Sequence, residues 1–129
     1  MSDVSSAVGV RLYPDLVERG GLAPALVEMA ARHQLDLGQV TAPDQGRARF
    51  TCAELGSERG VVCVGLGSQA RYFMIDLRVS GEVQARGDAT DLLQVAQVAD
   101  AWKAGATLAD LTARFRFMEE MKRHPVAHA

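Results

Sequence analysis

Carboxylate, guanidinium and phenol side chains alternate with apolar side chains along the stretch Arg71–Arg86. Successive side chains of a β-strand point to opposite faces of its sheet. One parity of this stretch is apolar, and the other places Asp76 in line with Tyr72 and Arg78. An aspartate held between a guanidinium and an aromatic wall can serve as a general acid or base. The alternation therefore predicts a strand with one core face and one face that lines a site.

Neighbouring strands, taken at the same parity, extend this second face into a candidate pocket wall that combines small, apolar and charged side chains. In this hypothesis a carboxylate moves a proton, a tyrosine donates a hydrogen bond, and an arginine anchors an acidic, enolate-like part of the substrate. The candidate catalytic residues are Asp76 or Glu54 as the proton-transfer group and Tyr72 as the donor. The candidate residues for substrate binding are Arg49, Arg78, Thr51, Cys63 and Met74.

The same mixed face has other interpretations. A face of this composition can be fully solvated, or it can be covered by a second copy of the chain in a homodimer. A dimer that covers Tyr72 and Asp76 would favour an interaction surface, whereas a monomer with an open, concave sheet would favour a pocket for a small-molecule substrate. The sequence leaves these alternatives open.

The strands that must position these residues follow one another with short connections. They are Arg47–Glu54, Val61–Leu66, Arg71–Val79 and Glu82–Arg86, with Leu35–Val40 as a further short strand before them. A parallel neighbour would need a crossover of a dozen or more residues, so connections this short require antiparallel pairing. Ser80–Gly81 is predicted to be a two-residue hairpin turn. The sequence thus predicts an antiparallel meander sheet of four to five strands.

Helices are predicted on both sides of this meander. They are Pro14–Arg19, Ala23–His33, Leu92–Trp102 and a shorter helix opened by Thr107. We expect Asp88 or Thr90 to cap the helix that follows the sheet, and Thr107 with Asp110 to form a capping box. The N- and C-terminal helices are expected to pack on one face of the sheet, which gives an α+β fold.

If helices cover one face, strand parity also predicts which sheet residues form the core. These residues are Phe50, Cys52, Val62, Val64, Leu66, Phe73, Ile75, Leu77, Val79, Val83 and Ala85. The other parity is then the open face that carries the candidate site.

Length and composition are those of one globular domain. The chain has 129 residues, 48% hydrophobic and 23% charged, so we expect a single domain over 1–129 with a loose N-terminus over 1–10 and a disordered tail over 122–129. The net charge of -2, without a basic stripe, argues against a nucleic-acid partner. No apolar run reaches a membrane span and no secretory signal is recognised, so we expect no membrane contact and a cytoplasmic location.

We expect neither a cofactor nor a metal. Gly65–Ala70 has the letters of a dinucleotide-binding loop, but a strand follows it instead of the helix whose N-terminus would receive the pyrophosphate. The 3 histidines are scattered without metal-ligand spacing. Cys52 and Cys63 lie in apparent strands and are predicted to be small, buried, reduced side chains, with a disulfide as the minor alternative.

The chain resembles a group of small bacterial α+β proteins in the order of its features, with LYPDL near the start and RYFMIDL in the third strand of the meander. The block Ala101–Leu108, AWKAGATL, followed by Phe115 and Phe117, is similar to a domain-of-unknown-function family labelled natural product biosynthesis proteins, over about Leu12–Met118. The resemblance implies a stand-alone protein of secondary metabolism. For such a protein we expect a cofactor-free cyclase or dehydratase that acts on a polyketide-type intermediate by acid-base chemistry. The alternative is a non-catalytic binding, immunity or regulatory protein that uses the open sheet face.

Overall fold

The computed structural model describes residues 12–42, 51–67 and 70–121, which form an α+β fold. Within these residues, six strands pair in chain order into one antiparallel sheet. The strands are β1 Gln39–Thr41, β2 Cys52–Ser57, β3 Gly60–Leu66, β4 Phe73–Val79, β5 Glu82–Ala89 and β6 Met118–Glu120. The helices are α1 Pro14–Arg19, α2 Leu22–His33, α3 Leu92–Lys103 and α4 Leu108–Arg114. The predicted fold class is confirmed, with β6 as an additional strand at the sheet edge.

The core lies between the helices and one face of the sheet. Phe73, Ile75 and Leu77 of β4 are fully buried there, beside Val62 and Val64 of β3. The helices contribute the apolar side chains Leu16, Leu22, Leu26, Val95, Ala99, Trp102 and Leu111. The parity predicted for β3 and β4 is therefore confirmed, and the face turned away from the helices is termed the open face.

The hairpin between β4 and β5 turns at Ser80–Gly81. Both residues have positive φ, 53° for Ser80 and 83° for Gly81. Positive φ at both central residues is typical of the type I′ turn, whose twist matches that of the two flanking strands. The predicted two-residue turn is confirmed.

Cys52 lies on the opposite face from the one predicted. It is the first residue of β2 and pairs with Gly65 of β3, so it belongs to the open face. Ala53 and Leu55 take the buried positions of β2 instead. The prediction was wrong because it counted parity from Arg47, whereas the register of β2 is determined by its pairing with β3.

Val83 is also on the opposite face from the one predicted. The pairing of β4 with β5 shifts between Leu77 and Arg78, so Leu77 pairs with Ala85 while Arg78 pairs with Val83. A bulge inserts one extra residue into a strand and inverts the parity beyond it. Val83 therefore shares the open face with Arg78.

The helix caps are partly as predicted. The carboxylate of Asp91, and not Asp88 or Thr90, caps α3 by accepting a hydrogen bond of 3.0 Å from the backbone N–H two residues later. Asp88 lies in β5. The predicted capping box is confirmed, because Thr107 and Asp110 each accept a backbone hydrogen bond of 3.0 Å from the other.

Tyr13 fastens the start of α1 to the connection between β3 and β4. Its hydroxyl donates to the Gly67 carbonyl at 2.7 Å and accepts from the Tyr72 N–H at 3.2 Å. Arg71 donates to both carboxylate oxygens of Asp15 at 2.8 and 3.0 Å. These contacts determine the path of the chain into β4 and the position of Tyr72.

Several expectations fall on residues that the structure does not describe. These are the loose N-terminus 1–10, the tail 122–129, and the residues Arg47, Arg49 and Phe50 of the predicted second strand. None of the helices in the described ranges has the length and apolarity that a membrane crossing requires.

Candidate functional site

A groove of about 310 Å³ crosses the open face over β3, β4 and β5. The residues that line this groove, termed the β3–β5 groove, are Cys63, Val64, Gly65, Met74, Asp76, Arg86 and Asp88. Its volume is at the lower end of the range for small-molecule pockets, roughly 300 to 1,000 Å³. Its lining combines apolar side chains with a few charged groups, as such pockets do.

The register of the sheet explains why a groove forms at this place. Six of the seven lining residues make two rows across the strands, Gly65–Met74–Asp88 and Cys63–Asp76–Arg86, and the seventh, Val64, lies between them on β3 with its side chain in the core. Gly65 has no side chain, and a Cβ atom at this position would lie 3.4 Å from Cε of Met74. A depression therefore forms over β3, bounded by the larger side chains of β4 and β5.

Asp76 lines the groove from β4, the middle one of its three strands, and lies between two guanidinium groups. Arg86 donates a hydrogen bond of 2.8 Å from Nε to Oδ1. Nη2 of Arg78 lies 3.6 Å from Oδ2, which is too long for a hydrogen bond. The Asp76 side chain is only 23% exposed, so these charges are partly shielded from water. The arrangement fixes Oδ1 and leaves lone pairs of Oδ2 for a ligand.

Asp88 is the second carboxylate of the groove and was missed by the sequence-based prediction. It is exposed on β5, directly opposite Met74. No basic side chain of the described residues forms an ion pair with it. The prediction ended the strand at Arg86 and treated Asp88 as a helix cap. Continuing the parity from Arg86 by two residues is the signal that places Asp88 on the open face.

The thiol of Cys63 lies in the groove between its cross-strand partners Glu54 and Asp76. Burial raises the pKa of this thiol above its usual range; the guanidinium of Arg78 opposes the rise, and the two carboxylates add to it. Cys63 is a free cysteine, as is Cys52. A protonated thiol is a weak nucleophile, so Cys63 provides a small, uncharged lining group.

The structure brings together part of the predicted site. Cys63, Met74 and Asp76 line the groove, and Arg78 reaches it through its ion pair with Asp76. Arg86 is an open-face residue in the prediction, but its hydrogen bond to Asp76 was not foreseen. That bond depends on the pairing of β4 with β5, which parity alone does not give.

The other predicted site residues lie away from the groove lining. Tyr72 precedes β4, and its ring covers the backbone of Gly67. Glu54 is exposed on the open face of β2. Thr51 precedes β2, with its hydroxyl 3.7 Å from the Cys52 thiol. Arg49 lies outside the described residues.

The donors on the described part of the open face do not make a metal centre. Across 12–42, 51–67 and 70–121, no group of three or more histidine, cysteine, aspartate and glutamate side chains is placed to hold a metal ion. The chemistry that the described lining offers is therefore that of carboxylate, guanidinium, thiol and thioether groups.

Comparison of the chain with protein-family models, with curated proteins and with solved structures finds no match. The resemblance carried by Ala101–Leu108 stays a prediction. The functional argument therefore rests on the groove itself.

Proposed function

We propose that the chain is a small, cofactor-independent enzyme of natural product biosynthesis that binds its substrate in the β3–β5 groove. The reaction is an acid-base dehydration, conjugate addition or cyclisation of a polyketide-type intermediate. The observation that carries the proposal is a carboxylate, Asp76, that is oriented by Arg86 inside a partly apolar groove. Groups of this kind can transfer protons to and from a bound substrate when they lie within hydrogen-bond reach.

Asp76 is the proton-transfer group in this proposal. Its Oδ2 atom removes a proton from the carbon next to the thioester carbonyl of a 3-hydroxyacyl substrate. The C–H electrons form the new C=C bond, the C–O bond breaks, and the same carboxyl group returns the proton to the departing hydroxyl group as water. Arg86 acts as a positioning residue, because its Nε hydrogen bond holds Oδ1 and so directs Oδ2.

The apolar part of the lining supports the binding step. Met74 is 41% exposed and lies beside Gly65 in the floor of the groove. A hydrocarbon chain placed there would remove water from Met74 and from one side of Asp76. Removal of water strengthens the electrostatic interactions of the carboxylate with its substrate.

Hydration of the crotonyl thioester of N-acetylcysteamine tests this proposal, because it is the reverse of the dehydration. The loss of enoyl-thioester absorbance would be followed with wild-type protein, Asp76→Asn and the control Glu58→Gln, whose carboxylate lies in the turn between β2 and β3. We expect wild-type protein and the control to be active, and Asp76→Asn to lose at least ~100-fold in rate. A rate that Asp76→Asn leaves unchanged would contradict the assignment of Asp76.

A non-catalytic binding, immunity or regulatory protein is the second candidate function. The observation that favours it is the groove itself, where the exposed Met74 lies beside Gly65 and Cys63 with charged side chains around them. An apolar patch with a polar rim is also typical of an interaction surface. Size-exclusion chromatography with light scattering distinguishes the two. A constitutive dimer that becomes monomeric in Met74→Lys would favour the interaction surface, whereas a monomer would favour the open groove.

A further inference from the structure

The described part of the open face carries four carboxylates and two guanidinium groups. Its cross-strand rows from β2 to β6, within the described residues, carry the charged side chains Glu54, Asp76, Arg78, Arg86, Asp88 and Glu119. Asp76 accepts a hydrogen bond from Arg86 at 2.8 Å and forms a longer ion pair with Arg78 at 3.6 Å. Glu54 and Glu119 lie outside the groove lining. Within the lining, Asp88 is the carboxylate that forms no ion pair with a basic side chain of the described residues.

Asp88 borders the most apolar part of the groove. It pairs with Met74 across β5 and β4, and Met74 pairs with Gly65 across β4 and β3. Cβ atoms of directly opposed residues lie roughly 4.5 to 5.5 Å apart. A negatively charged group and an exposed thioether are thus adjacent, at a spacing that one small molecule can span.

We propose that the ligand of the β3–β5 groove is a compact organic amine. Its ammonium group binds the carboxylate of Asp88, and its hydrocarbon body covers Met74 and Gly65. The inference rests on the proposed function in one respect: it assigns an amino group to the substrate that the same groove holds.

An anionic ligand fits this groove less well. Arg86 donates to Asp76, and Arg78 lies 3.6 Å from it, so an anion would compete with Asp76 for these guanidinium groups and would also meet the carboxylate of Asp88. Like charges in proximity are destabilising, whereas an ammonium group satisfies Asp88 without disturbing the bond between Arg86 and Asp76. The protonated thiol of Cys63 adds no negative charge and accommodates an uncharged part of the ligand.

Three probes of similar shape and different charge test the inference. Phenethylamine, 2-phenylethanol and 3-phenylpropionate would each be titrated into 15N-labelled full-length protein, with amide chemical shifts as the readout. We expect phenethylamine to shift the amides of Gly65, Met74 and Asp88 and to bind about fivefold more tightly than the alcohol. We expect the propionate to bind more weakly than both. Equal affinities, tighter binding of the propionate, or shifts confined to other regions would overturn the inference.

Two variants and one control variant test whether the preference for the amine arises in the groove. Asp88→Asn should reduce the preference for the amine over the alcohol to about one, and Glu58→Gln should retain the wild-type preference. Gly65→Val should weaken binding of all three probes, because its side chain fills the floor beside Met74. Thermal melts monitored by circular dichroism establish that each variant is folded. If Asp88→Asn does not fold, Gly65→Val decides the test, and unchanged binding of the amine by it would overturn the inference.

The failure of this inference can be told apart from the failure of the proposed function. Amine binding in the groove by a protein that does not hydrate the crotonyl thioester would support the ligand class and contradict the catalytic role. Thioester hydration that depends on Asp76, together with no preference for the amine, would keep the catalytic role and overturn the ligand class.

Discussion

The two faces of the sheet carry opposite kinds of side chain, although single strands supply both. On the core face of β4, Phe73, Ile75 and Leu77 are fully buried. On the open face of the same strand, Met74 is 41% exposed and Asp76 is held in ion pairs. The difference teaches that alternation within one strand separates the residues that pack the core from those that line the groove. Substitutions on one parity should change stability, and substitutions on the other should change binding.

The largest expected effect belongs to the core face. Ile75→Ala removes fully buried methyl and methylene groups and leaves a cavity, so we expect the free energy of unfolding to fall by about 2 to 5 kcal/mol. The neighbouring substitution Met74→Ala lies on the open face and should cost less than about 1 kcal/mol. Urea denaturation measures both. Similar losses for the two variants would break the distinction between the faces.

A buried tyrosine hydroxyl should contribute more to the free energy of unfolding than a tyrosine hydroxyl outside the core. Tyr13→Phe removes a buried hydroxyl and leaves the Gly67 carbonyl and Tyr72 N–H without that partner, at an expected cost of about 1 to 3 kcal/mol. Tyr72→Phe is the matched control and should change stability by less than about 0.5 kcal/mol. If Tyr72→Phe were as unstable as Tyr13→Phe, the loss of stability could not be attributed to the hydrogen bonds of the Tyr13 hydroxyl.

The smallest effect on stability is expected from the surface ion pair between Arg71 and Asp15, which lies next to Tyr13. The hydrogen bond from Arg71 holds the pKa of Asp15 below its usual value. A lowered pKa in the folded state gives stability that is complete above the unfolded pKa of about 3.9 and is lost as the pH falls through the folded pKa. Both side chains are more than a third exposed, so the contribution is under about 1 kcal/mol.

Asp15→Asn checks the sign of this pH dependence. The difference in unfolding free energy between wild-type protein and the variant should be present at about pH 7 and should shrink towards zero below about pH 3. A difference that is the same at both pH values would contradict an origin in the ionised carboxylate.

Local patterns were sufficient to predict much of the fold. Phe73–Val79 is continuous and alternates strictly, so its two faces follow from the sequence. Ser80–Gly81 and the Thr107–Asp110 capping box depend on residues close in the chain, and both were predicted correctly.

Features that depend on pairing partners could not be predicted in this way. The register of β2 with β3 places Cys52 on the open face, and the bulge after Leu77 moves Val83 there. β6 joins the sheet through pairing with Gly87 and its neighbours across a long stretch of chain. Parity counted along one strand contains no information about these contacts.

The candidate site also divides into residues that strand parity predicts and residues that depend on strand pairing. Cys63, Met74 and Asp76 lie on strands whose parity is regular, and all three line the groove. Arg86 and Asp88 complete it only because β5 pairs in one particular register with β4. The sequence therefore indicates which face carries the candidate site, and the cross-strand register determines which charges meet there.

The activity of Gly65→Val tests most directly the claim that the open face works through this groove. The substitution keeps Asp76, Arg86 and Asp88. It adds a side chain to the floor of the groove, where the nearest neighbour is the flexible end of Met74. We predict that the folded variant hydrates the crotonyl thioester of N-acetylcysteamine at less than about one tenth of the wild-type rate. Wild-type activity in a folded Gly65→Val protein would contradict the account.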